Sequence, residues 1–170
     1  MEVEIKFRVD FETIKEKIEG LNADLIREEF QEDIYFSLPP KHLLRIRKIT
    51  NLGEVILGYK EIKDERNEEF DEIEVKVEDF DKMRDILKRL GFEEDVWVKK
   101  HRYVYKLGRI TFELNRVEEL GDFLDIEVIS DDIKKAKEII WETAKALGLS
   151  ESDVEPRLYQ ELLEEKKKIT

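Results

Sequence analysis

The chain has 170 residues, no cysteine and a formal net charge of −12. That length suits one hydrophobic core, so a single domain over 1–170 is expected; disulfides are excluded, and the acidity argues against nucleic acid or an anionic membrane as partner. Without a bilayer-length apolar run or a signal-peptide pattern, a cytoplasmic protein is the expectation.

Met1 to Val9 alternates strictly, with Val3, Ile5, Phe7 and Val9 apolar and Glu2, Glu4, Lys6 and Arg8 charged, the two-residue period of a strand with one charged face. Asp10 is a fitting N-cap for a short helix whose Phe11, Ile14, Ile18 and Leu21 recur at helical spacing, with Gly20 as its stop. Asp24 to Phe36 reads as extended chain, interrupted by Ser37 to Lys41 with Pro39 and Pro40. Leu43 to Ile49 resumes alternation, Asn51-Leu52-Gly53 turns, and Glu54 to Ile62 returns with Lys60, Ile56 and Gly58 on one face.

After the polar stretch Lys63 to Glu69, Phe70 to Val77 repeats the opening pattern: Glu72, Glu74 and Lys76 oppose Ile73, Val75 and Val77. Asp79 caps a second helix ended by Gly91, so a strand followed by a helix occurs twice and suggests a duplicated unit. Glu94 to Lys106 is a long strand carrying Lys100 and Arg102, and Arg109 to Val117 and Asp122 to Ser130 form the last hairpin. A third helix follows Asp131 or Asp132 and stops at Gly148; a fourth is expected to begin near Ser150, fading over Glu164 to Lys168. Trp97 and Trp141 are expected between strands and helices, and His42 and His101 on the wall or surface.

The charges collect on one parity of about eight strands. A sandwich would put them in water, whereas a closed barrel turns the apolar faces outward against the helices and leaves the charged faces lining a wet lumen. The expected class is therefore α+β: a closed eight-stranded antiparallel β-barrel, or tunnel, with helices packed on the outside. Carboxylates crowded in such a lumen favour a cation, and neighbouring Arg and Lys favour an anion. Together they suit a Mg2+ or Mn2+ complex of a polyphosphate.

The ordered motifs E-V-E-I-K (Glu2 to Lys6), Q-E-D-I-Y-F (Gln31 to Phe36), L-R-I-R (Leu44 to Arg47), Gly58-Tyr59-Lys60, E-I-E (Glu72 to Glu74), Lys100 with Arg102, V-E-E-L-G-D-F-L-D-I-E (Val117 to Glu127) and L-Y-Q-E-L-L (Leu158 to Leu163) span nearly the whole chain. In this order the sequence resembles the CYTH, or triphosphate tunnel metalloenzyme, superfamily, and is most similar to its class IV adenylyl cyclase group. The resemblance implies metal ligation by Glu2, Glu4 and Glu127, helped by Glu74 and Asp125, and triphosphate binding by Lys6, Arg45, Arg47, Lys60, Lys76, Lys100 and Arg102. Glu72 is expected to orient those bases or to serve the metal. Among these, Glu2, Glu4, Lys60 and Arg102 are the expected catalytic groups. Asn115 stands where the family commonly has Asp; it keeps an oxygen ligand for metal and loses a charge.

The implied activity is conversion of ATP to cyclic AMP and pyrophosphate. The alternatives are hydrolysis of thiamine triphosphate, tripolyphosphate or a nucleotide, and non-catalytic binding of polyphosphate. A homodimer is admitted, although no apolar position stands out for it. Charged residues make up 44% of the chain against two glutamines and four asparagines, which leans towards a thermophilic source. A melting midpoint above the mesophile range of about 45–65 °C is expected.

Overall fold

The alternation at the N-terminus becomes β1 (Glu2–Arg8), whose Val3, Ile5 and Phe7 are fully buried. The computed structural model describes residues 1–169, and in it β1 is followed by α1 (Phe11–Gly20), β2 (Asp24–Phe36), β3 (His42–Ile49), β4 (Glu54–Ile62), β5 (Glu69–Lys76) and α2 (Phe80–Arg89). Then come β6 (Glu94–Leu107), β7 (Ile110–Val117), β8 (Gly121–Ile129), α3 (Ile133–Ala146) and α4 (Tyr159–Ile169). The strands close into an antiparallel barrel in the order β1-β5-β4-β3-β2-β6-β7-β8.

The first three helices start where their caps require: the Asp10, Asp79 and Asp132 side chains accept from the N–H groups of Thr13, Lys82 and Lys135. α1 ends not through Gly20 but through Asn22, which takes the left-handed conformation at φ 64°.

The apolar strand faces point outward, as the charge pattern requires. Val3, Ile5 and Phe7 pack with Phe11, Ile14 and Ile18 of α1 and Ala136, Ile140 and Ala144 of α3, with Trp141 edge-on to Phe7 at 5.6 Å. Ile34, Phe36 and Ile46 pack under Phe80 and Leu87 of α2. Each such fully buried side chain contributes about 1.5–3 kcal/mol. Trp97 departs from expectation: it is 42% exposed and lies under the Arg84 guanidinium at 5.1 Å, beside rather than beneath α2.

The duplication seen in the sequence is a symmetry of the barrel. Exchanging β1 with β5, β2 with β6, β3 with β7 and β4 with β8 leaves the ring order unchanged, and α1 over β7 answers to α2 over β3. Among the described residues, α3, which lies over β8 and β1, has no helix of comparable contact over β4 and β5.

The C-terminal segment differs most from expectation. The Ser150 and Asp153 capping box closes only a 3-10 turn at Glu151–Asp153. The chain then runs extended, with Val154 bridging Phe7 and the Glu155 N–H donating to the Lys6 carbonyl at 2.8 Å. This strap continues the ladder of β1 where β5 leaves it, since β1 and β5 pair only at Glu2 with Phe70 and Val3 with Glu69. α4 starts at Tyr159 and is not an outer helix: Tyr159, Leu162 and Leu163 pack on Val96, Val98, Val117 and Phe123, all on lumen-facing parity, and so stopper one end of the barrel.

Candidate functional site

Register brings the acidic residues together. β1 pairs with β8 so that Glu4 faces Glu127 and Lys6 faces Asp125, and β7 pairs with β8 so that Glu113 faces Asp125. Like charges directly opposite one another destabilise a sheet, so this cluster is maintained against the folding energetics of the empty barrel. Carboxylate oxygens of Glu2, Glu4 and Glu127 lie within 4.8 Å of one another, and so do those of Glu4, Glu113 and Asp125. Glu4 belongs to both groups. Asp125 Oδ1 is buried without a hydrogen-bond partner among the described residues. An all-carboxylate oxygen set with an unused acceptor fits a hard divalent cation.

The basic residues face this cluster across a cavity of about 850 Å3, part of it open to solvent. Lys60 Nζ donates to Glu2 at 3.0 Å and lies 3.8 Å from Glu4 and 3.5 Å from Glu72. Arg45 donates to Glu74 at 2.9 Å, while its Nε is buried and unpartnered among the described residues. A Cβ at position 58 would lie 2.8 Å from Arg45 Nη2, so Gly58 leaves the room in which that guanidinium lies across β4. Arg102 spans Asn115 Oδ1 at 2.8 Å and Glu113 at 2.9 Å. Lys6 donates to the Arg157 carbonyl at 2.6 Å and sits 4.3 Å from the centre of the Tyr159 ring.

Burial, together with the neighbouring carboxylates, pushes Glu2 up to about 10, Glu127 to about 9 and Asp125 to about 8. Although burial works against it, Glu4 is held below its usual value by Lys60 and by the hydrogen bond from Glu2. The metal-free cluster therefore carries protons at neutral pH, and a cation must displace them. Mn2+ affinity is expected to rise from about pH 7 to pH 9, by roughly tenfold per pH unit for each displaced proton. Calorimetry in two buffers of different ionisation enthalpy reads the proton release directly; pH-independent affinity with none released would contradict the cluster.

Most of the expected site residues share this cavity: Glu2, Glu4, Lys6, Arg45, Arg47 and Lys60 line it, as do Glu72, Glu74, Lys100, Arg102, Asp125 and Glu127. Lys76 is not brought to this cavity. Its side chain is 78% exposed at the end of β5, 3.8 Å from Glu54, and it lies outside the cavity lining. Asn115 is fully buried and differs from the expected metal ligand: its oxygen accepts from Arg102, and its amide donates to Asp125 at 3.0 Å and Tyr159 at 3.1 Å. Glu74, bound to Arg45, stands apart from both carboxylate groups.

Two members of the site were not singled out from the sequence. Glu113 completes the second carboxylate group; its place two residues before Asn115, on the same face of a strand, was the available signal. Asp33 takes Arg47 at 2.7 and 2.8 Å and Lys100 at 2.6 Å. The Q-E-D-I-Y-F motif of Gln31 to Phe36 contains it, but its role was not legible there because its partners come from β3 and β6.

The CYTH domain model matches residues 1–159. The chain is similar to "Putative adenylate cyclase MJ0240" of Methanocaldococcus jannaschii, at 38% identity over 95% of this chain and 98% of that protein. It is similar also to adenylate cyclase CyaB of Aeromonas hydrophila, at 29% identity over 96% of this chain and 89% of the relative. Its fold matches the solved structure of the PH1012 protein of Pyrococcus horikoshii with a TM-score of 0.94 and 57% identity, covering 95% of this chain and 99% of that one.

Proposed function

The chain belongs to the CYTH domain family, and from that premise we propose that it is a divalent-metal-dependent enzyme acting on a triphosphate small molecule, with ATP converted to cyclic AMP and pyrophosphate as its reaction. The observation that carries this reading is the division of one cavity into a carboxylate wall on β1, β7 and β8 and a basic wall on β3, β4 and β6.

Glu2, Glu4 and Glu127 would hold one Mg2+ or Mn2+, with Glu4, Glu113 and Asp125 a second group of the same chemistry. A bound ion supplies charge to polarise a phosphoryl oxygen. Arg45, Lys60 and Arg102 would grip the triphosphate oxygens and offset the charge that develops on the leaving pyrophosphate, with Lys6, Arg47 and Lys100 deepening the positive field. Asn115 acts behind them, holding Arg102 and Asp125 in their orientations.

The direct test incubates the protein with Mg2+ or Mn2+ and ATP, thiamine triphosphate or tripolyphosphate, and resolves cyclic AMP, pyrophosphate and orthophosphate. Cyclic AMP with pyrophosphate is the expected result. Orthophosphate alone would replace cyclisation by hydrolysis, and binding without turnover would reduce the chain to a polyphosphate-binding module.

A cytoplasmic location and a thermophilic source accord with the highly charged composition, and the whole chain works as one CYTH unit. As partner we propose a second copy. On the side that α3 leaves uncovered, Ile73 and Val75 of β5 are 65% and 50% exposed. Antiparallel approach of two β5 strands would set Lys76 against Glu72 of the second copy. Sedimentation is expected to show a dimer that Ile73→Glu converts to monomer; a monomeric wild type would exclude it.

A further inference from the structure

The cavity wall is not charged throughout. Where α4 begins, its lining changes to Tyr35, Leu43, Leu158 and Gln160. Register places this patch beside the basic wall, since Tyr35 is opposite Arg45 and Leu43 is opposite Lys60. Tyr35 also packs against the Phe123, Tyr159 and Leu162 cluster, so the patch is backed by the helix that stoppers the barrel. Gln160 Oε1 is buried and has no hydrogen-bond partner among the described residues.

Neither a metal ion nor a phosphate chain makes use of such a surface. Apolar side chains give phosphate oxygens nothing, and an orphaned acceptor repels them. A buried acceptor at the edge of an apolar slot calls for an N–H donor on a flat, uncharged group. We propose that Tyr35, Leu43, Leu158 and Gln160 form a ring-binding subsite for a heteroaromatic group carrying an exocyclic amine, attached to the triphosphate held by Arg45 and Lys60. The amine donates to Gln160 Oε1, the Gln160 amide donates to a neighbouring ring nitrogen, and the three other side chains cover the ring faces. Adenine presents that edge, and the side-chain amide of glutamine pairs with its amine and ring nitrogen. An aminopyrimidine presents a similar amine.

This subsite rests on the triphosphate reading of the cavity, and its test separates the two. Equilibrium binding of ATP, ITP, thiamine triphosphate and tripolyphosphate is measured in EDTA, where the basic wall remains and metal-dependent turnover does not run. ITP carries a carbonyl oxygen where adenine has its amine. The wild type is expected to bind ATP at least about tenfold more tightly than ITP. Gln160→Leu is expected to bring that ratio close to one and leave tripolyphosphate affinity unchanged, which also shows that the variant folds. Gln160→Glu, which keeps an acceptor, is expected to retain the preference while weakening all the anions.

A preference for thiamine triphosphate that vanishes in Gln160→Leu would support the same subsite with an aminopyrimidine in it. Equal affinity for ATP and ITP in the wild type, without a thiamine triphosphate preference, would overturn the proposal, as would a ratio untouched by Gln160→Leu. Failure of the wild type to bind tripolyphosphate both in EDTA and with Mg2+ added would overturn the triphosphate reading itself, and the subsite with it.

Discussion

Replacing Glu4 by glutamine is expected to lower metal-dependent turnover by at least about a thousandfold while leaving the barrel folded. Glu4 is the one carboxylate common to both groups, Glu2 with Glu127 and Glu113 with Asp125. Lys60, 3.8 Å away, helps to keep it ionised where Glu2, Asp125 and Glu127 are pushed up. The amide keeps the shape but not the charge, so both groups lose their shared ligand in one step. The amide also gives up the attraction of Lys60 that holds the folded-state pKa of Glu4 down, so the variant should melt slightly below the wild-type temperature while remaining folded. Glu127→Gln and Glu113→Gln each touch only one group and should cost less. Metal-dependent turnover by Glu4→Gln at the wild-type rate would remove the carboxylate cluster from the reaction.

Asp33→Asn is expected to have the largest effect on stability, a loss of about 3–5 kcal/mol. Asp33 is 0% exposed and neutralises two buried cations, Arg47 through two hydrogen bonds and Lys100 through one of 2.6 Å. Burial alone would raise its pKa, but the two cations hold it well below the usual carboxylate range. A depressed folded-state value means that its contribution is fully present above the unfolded value of 3.8 and is lost only as pH falls through the folded one. For a chain of this size the loss corresponds to a fall in Tm of roughly 6–20 °C. Tripolyphosphate should recover part of it, and stabilise the variant more than the wild type, by acting as the missing counter-anion. An unchanged Tm would show that Arg47 and Lys100 do not depend on Asp33.

Asp33 also shows why part of the site was hidden. In the sequence it is one acidic residue of Gln31 to Phe36 and lies on the parity that proves to be internal, but its partners are 14 and 67 positions away. Lys76 errs in the opposite direction: its parity matches Glu72 and Glu74, yet β5 leaves β1 after Phe70, so the end of the strand reaches solvent. The start of α4 was misplaced for a local reason. Ser150 and Asp153 form a genuine capping box, but the 3-10 turn after it ends and the chain runs extended through Pro156 along β1.

What the sequence determined by itself was the set of elements and the polarity of the barrel. Period-two alternation makes a strand with one charged face wherever it occurs, and aspartate caps start helices through bonds only three residues long. Those rules placed Glu2, Glu4, Lys6, Lys60 and Glu127 on the internal face. Only the tertiary structure decided which of these charges meet: the register of β1, β7 and β8 makes Glu4 the shared member of two carboxylate groups, and closure of β2 against β3 and β6 commits Arg47 and Lys100 to Asp33. The physical reason is that parity is set by the backbone of a single strand, whereas distances across a lumen are set by the stagger of all the strands at once.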